Sequence, residues 1–149
     1  MTDFVFNVVK GRIATYAGLP AANDGLVVIP LLAAGLEADA TLADYGTVAA
    51  LLAGTTDENT TMGRKVVSSG VTVTVDNTND RVDIDMPDQT WSAVAASGAV
   101  GALLIAYDPD TTTGDDTTLI PLTKHGFAVT PDGSDITAVV ATAGFARAA

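Results

Sequence analysis

Apolar positions recur at a spacing near helical in the first third of the chain and near two thereafter. Residues 7 to 18 place Val9, Ile13 and Tyr16 at i, i+4 and i+7, with Asn7 as N-cap and Gly18 then Pro20 as a stop. This predicts a helix over 8–17, weakened by Gly11. "LVVIPLL", residues 26 to 32, is a short run rich in branched residues, and Pro30 confines the strand it predicts to an edge or a bulge. In "TLADYGTVAALLAG", Thr41 reads as an N-cap with Asp44 three residues on, Tyr45, Val48, Ala49 and Leu52 share a face, and Gly54 closes a helix over 42–53. "TTDENTT", residues 55 to 61, has no apolar period and reads as an exposed loop.

Beyond that loop the period becomes two. Val71, Val73 and Val75 alternate inward, "DNTND" is a turn, and Val82, Ile84 and Met86 alternate inward again, which predicts a hairpin. "TWSAVA", "VGALLIAYD", "TTLIPLT", "GFAVT" and "DITAVVA" follow as strands, parted by "DPDTTTGDD" and "TPDGSD", whose Asp, Pro and Gly are turn residues. The pattern predicts one α+β domain over 1–149, mainly β. Two short helices in an N-terminal part, 1–62, pack on an antiparallel sandwich or partly open barrel from the β part, 63–149.

Composition narrows the classes. With 149 residues the chain buries a sizeable core as one domain. A formal charge of −11 repels a phosphate backbone, so nucleic acid is not an expected partner. Without cysteine there is no disulfide, thiolate zinc site or cysteine nucleophile. No run is long enough to span a bilayer as a helix, and Asp3 stands where a secretion signal carries basic residues. A mean hydropathy of +0.34 in so acidic a chain predicts apolar surface covered by a partner.

The candidate chemistry is sparse. If Val82, Ile84 and Met86 face inward, Arg81, Asp83 and Asp85 face water. Asp76, Thr78 and Asp80 imitate the start of a calcium loop, but its central Gly is missing and Pro87 stands where the bidentate Glu belongs. The acidic loop from Asp108 to Asp116 fails the same template and reads as an exposed hairpin connection. His125 is the single histidine and no nucleophile elbow surrounds any serine, so a serine triad has little support. Arg64 and Lys65 read as a basic patch against acidic neighbours, and Trp91 as a core or interface anchor. Asn59 with Thr61 matches a glycosylation acceptor. No catalytic residue, metal ligand or cofactor is expected.

Three stretches, "TWSAVA", "VGALLIAYDPDTTTGDDTTLIPL" and "FAVTPDGSDITAVVATAGFARAA", are similar to the C-terminal part of small structural proteins of tailed bacteriophages. The residues that carry this are Trp91, Tyr107 with Asp108, Leu119 to Leu122, Thr130 to Ile136, and Phe145. The opening "DFVFNVVKGRIATY" resembles the start of actinobacteriophage members, whereas "TLIPLTKHG" departs from strands that continue further in more hydrophobic members. The resemblance implies a non-enzymatic decoration or accessory protein on the outer surface of the phage head, bound to the major capsid protein. A tail-tube or head-to-tail connector subunit is the alternative, and a calcium-dependent carbohydrate-binding module using Trp91 and the Asp loops a more distant one.

"LVVIPLLAAGL" and "AVVATAGFARAA" together carry a single charged residue, Arg147, so at least one belongs in a core or an interface. A homo-oligomer is expected, with a trimer preferred over a dimer because icosahedral shells offer three-fold positions. Trp91, Phe145, Ala146 and Arg147 are the residues expected at the contacts.

Overall fold

In a computed structural model of the chain, residues 2–148 are described. The strands in chain order are β1 (Phe4–Val5), β2 (Gly25–Leu32), β3 (Lys65–Val67), β4 (Thr72–Asp76), β5 (Arg81–Asp85), β6 (Gln89–Trp91), β7 (Val100–Asp108), β8 (Ile120–Val129), β9 (Ile136–Ala138) and β10 (Ala146–Ala148). The helices are α1 (Ile13–Ala17), α2 (Asp39–Leu42) and α3 (Val48–Leu52), with a 3-10 turn over Asn7–Val9. Strand outweighs helix, 35% against 12%, and every pairing is antiparallel, so the chain is α+β and mainly β. Among the described residues the sheets do not close into a barrel.

A five-stranded sheet in the order β1-β8-β7-β2-β3 holds most of the core. β2 and β7 read as nearly continuous apolar runs because both of their faces are covered, and almost every residue of each is buried. A three-stranded sheet, β10-β5-β4, and a two-stranded one, β6-β9, complete the β structure. Side chains alternate across β8: Lys124 turns toward Asp39 of α2 and the Phe4 ring, and His125 toward Phe145. One cluster of buried side chains joins residues of both parts of the chain, from Phe6 and Leu26 to Leu122 and Ile136.

Several expectations need correction. The helix expected over 8–17 is split: Asn7 sits inside the 3-10 turn, and Gly11 takes φ +83° between that turn and α1. The helix expected over 42–53 is shortened to α3, with Leu42 closing the separate helix α2, and its working N-cap is Thr47, whose Oγ1 accepts the Ala50 amide at 3.2 Å. Thr47→Ala is expected to cost about 1 kcal/mol in urea denaturation, and no change would show that α3 is held by packing alone. The expected sheet system begins only in the second part of the chain, yet β2, from the first part, lies between β7 and β3. Pro30 keeps half of its predicted restriction, because it pairs with Leu103 on one side while its carbonyl accepts Asn59 N–H on the other, beyond the end of β3.

The segment 55–61 is not an exposed loop throughout: Thr56 and Asn59 are buried. Asn59 satisfies its amide internally, donating to Ser97 Oγ at 3.0 Å and the Gly98 carbonyl at 2.8 Å and accepting Met62 N–H at 3.0 Å. The glycosylation pattern at Asn59 is therefore out of reach of a modifying enzyme in the folded chain. "LIPLT" and "GFAVT" are one strand, β8, with register shifts in its pairing that accommodate Pro121 and Gly126.

Candidate functional site

Between the five-stranded sheet and the segments that follow β5 and β9 lies a cavity of about 350 Å³. Val28, Leu103 and Ile105 form its floor, and Met86, Val140 and Phe145 contribute to its walls. Asp3, Gln89 and His125 bring polar groups to it. One lip is Val139, 75% exposed. The far wall is set by a turn in which Gly144 N–H donates to the Ala141 carbonyl at 2.7 Å and Phe145 N–H to the Ile84 carbonyl at 2.9 Å. That turn delivers Phe145 against His125, ring centroids 6.4 Å apart and nearly perpendicular.

Asp3 is joined to β8 at two points. Its Oδ1 accepts Gly126 N–H at 2.8 Å, and its Oδ2 lies 3.3 Å from His125 Nδ1, whose Nε2 is 3.0 Å from Thr123 Oγ1. Burial pushes the Asp3 carboxyl up, but the Gly126 amide and His125 together outweigh it and hold it below the ordinary carboxylate range. The order hydroxyl, imidazole, carboxylate is that of an activated nucleophile. Thr123, however, is 1% exposed, so an electrophile has no approach to its hydroxyl. What the three residues do in this geometry is fasten β1 to the sheet.

Beneath the same strand Lys124 is fully buried and donates to Asp39 Oδ1 at 2.7 Å, with the Phe4 ring 5.2 Å from its Nζ. Asp39 Oδ2 also takes Thr2 N–H at 2.8 Å. The Lys124 ammonium, then the Thr2 amide, hold the Asp39 carboxyl at about 2. Tyr107 donates to Asp24 Oδ2 at 2.9 Å, and burial together with that carboxylate pushes its phenol up to about 12. It is a fixed hydrogen-bond donor rather than a base.

The aspartates of the turns are spent locally. Asp76 accepts Thr78 and Asn79 amides, Asp110 serves Thr112, Asp115 serves Thr117, and Asp132 serves Ser134. Asp83 is less solvated than its strand pattern predicts, because Arg81 and Arg147 flank it, with Arg147 Nε 2.7 Å away. Arg64 does meet acidic neighbours: its Nε and Nη2 both donate to Glu58 Oε2, and its Nη1 and Nη2 donate to Asp116 Oδ1 and Oδ2 at 2.5 and 3.0 Å. Among the described residues no group of three or more His, Cys, Asp or Glu side chains is arranged to hold a metal ion.

Of the residues expected at contacts, Trp91 is buried, with Nε1 donating to the Gly63 carbonyl at 2.8 Å and Lys65 Nζ 5.8 Å from its ring. It anchors the core of the chain itself. Ala146 and Arg147 lie in β10, opposite Ile84 and Asp83, and Phe145 packs on the core just before them. The cavity and the Asp3–His125 contact were missed from sequence, since Asp3 and His125 stand 122 positions apart. No family model, no curated protein and no solved structure matches the chain.

Proposed function

We propose that the chain is a decoration or accessory protein that binds the outer surface of a tailed-bacteriophage head, on the major capsid protein, and reinforces it. The reading begins from the resemblance of the strand and turn residues around Trp91, Tyr107, Thr130 to Ile136 and Phe145. The structural observation that supports it best is apolar surface on open sheet edges. β3 and β4 each end a sheet, and they carry Val66 at 56% and Val75 at 64% exposure. Such edges accept a neighbouring strand or surface, and the surplus negative charge suits a face turned away from packaged DNA.

β10 is the other edge of the small sheet, so Ala146 and Arg147 also stand beside an unpaired strand side where a second copy fits. A homo-oligomer, with a trimer preferred over a dimer, belongs to the same proposal. Removing the chain after Thr142 is a poor probe of assembly, because it deletes Phe145 and the strand that pairs with β5 as well. Quantitative mass spectrometry of purified virions is the direct test. Hundreds of copies per particle, accessible to protease added from outside, are expected. A handful of copies would favour a connector subunit, and absence from the virion would refute the proposal.

A further inference from the structure

We propose that the cavity between the five-stranded sheet and the 138–145 segment binds a small apolar molecule bearing an ammonium group. Its volume of about 350 Å³ lies at the lower end of ligand sites, with room for on the order of ten non-hydrogen atoms if each takes a water's ~30 Å³. It is a cleft open to solvent on one side and walled by Val28, Met86, Leu103, Ile105 and Phe145, the mainly apolar concave shape of small-molecule sites. Apolar surface continues outward onto Val139, so the opening itself is apolar on one side.

The head group follows from the polar side of the lining. Asp3 supplies a carboxylate whose side chain is 63% exposed, so part of it faces water while the residue lines the cavity. Its contacts with Gly126 N–H and His125 Nδ1 occupy only part of its acceptor capacity, since a carboxylate has about four lone-pair sites. An ammonium donates into the remaining sites and gains a charge-assisted bond. A carboxylate in the same place meets Asp3 directly, and the −11 formal charge of the chain repels it at longer range. This site does not depend on the proposed role in a virion.

The test is a titration of the isotopically labelled full chain with n-octylamine, octan-1-ol and octanoate, three probes of nearly equal length, followed by amide chemical shifts. Octylamine is expected to give saturable shifts centred on residues 86, 103, 125–127 and 138–145, with a Kd roughly tenfold below that of octanol, one charge-assisted contact's worth. Octanoate is expected to bind more weakly than octanol. Asp3→Asn, which retains an acceptor for Gly126 N–H, is expected to remove the preference for amine, bringing amine and alcohol to about the same affinity. Equal binding of amine and carboxylate by the unaltered chain, shifts centred on Val66 or Val75 instead, or no saturation by millimolar probe would each overturn the proposal.

Discussion

Asp39→Ala is expected to lower the free energy of unfolding by about 3 kcal/mol, whereas Lys124→Met is expected to change it by less than about 1 kcal/mol. The asymmetry comes from where the two charges sit. Lys124 is fully buried, so losing Asp39 leaves an ammonium in an apolar layer beside Phe4 with its ion partner gone. Losing Lys124 leaves an Asp39 that still reaches water and still accepts from Thr2. Methionine fills the space of the lysine stem without a charge to satisfy.

The pH dependence follows with a fixed sign. The folded Asp39 carboxyl titrates at about 2, below the ordinary value near 3.9, so its contribution is fully present above about pH 4 and is lost as pH falls toward 2. Asp3 is shifted in the same direction. Urea titrations of the three chains between pH 7 and pH 2 check both statements. Equal losses for the two substitutions, or an acid dependence unchanged in Asp39→Ala, would contradict this account.

Gly144→Ala is expected to cost more than about 3 kcal/mol and to release the C-terminal segment from the small sheet. Gly144 has φ +86°, where an added side chain is strained by about 1–2 kcal/mol before any contact is considered. A Cβ there would also stand 2.1 Å from the Ile84 carbonyl oxygen, a backbone atom fixed by the pairing of β5. The chain must therefore pull away from Ile84, which breaks the Phe145 amide bond and carries β10 and one wall of the cavity with it. Hydrogen exchange is expected to show protection lost at residues 145–148 and in β5, while β2 and β7 keep theirs. Full protection at 145–148 in the variant would mean that the turn tolerates a side chain.

The parts of this fold legible in the sequence are those set by neighbours close along the chain. The hairpin of β4 and β5 is written in alternating Val71 to Val75 and Val82 to Met86, with a turn of Asp and Asn between. Even there the inward pattern overreaches, since Val75 is mostly exposed. The helices are shorter than apolar spacing predicts because Gly11 and Gly46 interrupt them, and Thr47, not Thr41, caps α3. Thr56 and Asn59 looked like solvent-facing residues because their polar partners, Glu37, Ser97 and Gly98, lie far away in sequence. "TKHG" looked like a break in a strand for the same reason: a lysine reads as exposed until Asp39 is placed beside it. The cavity is less legible still, because it is defined by what six separate segments fail to fill.

The pairing order also governs how the molecule can be made. β2 must wait for β7 before it has its main partner, β1 joins β8, and Asp3 is fixed only when His125 arrives 122 positions later. The apolar strand β2, buried almost throughout in the finished sheet, therefore leaves the ribosome with no partner until the three-residue β3 emerges, and without its main partner until β7 does. Folding dominated by such non-local strand pairing is slow, on the order of milliseconds to seconds. During that interval the chain is open to pairing with its own copies, and what restrains them is mutual repulsion between nascent chains that are, residue for residue, far richer in acid than in base.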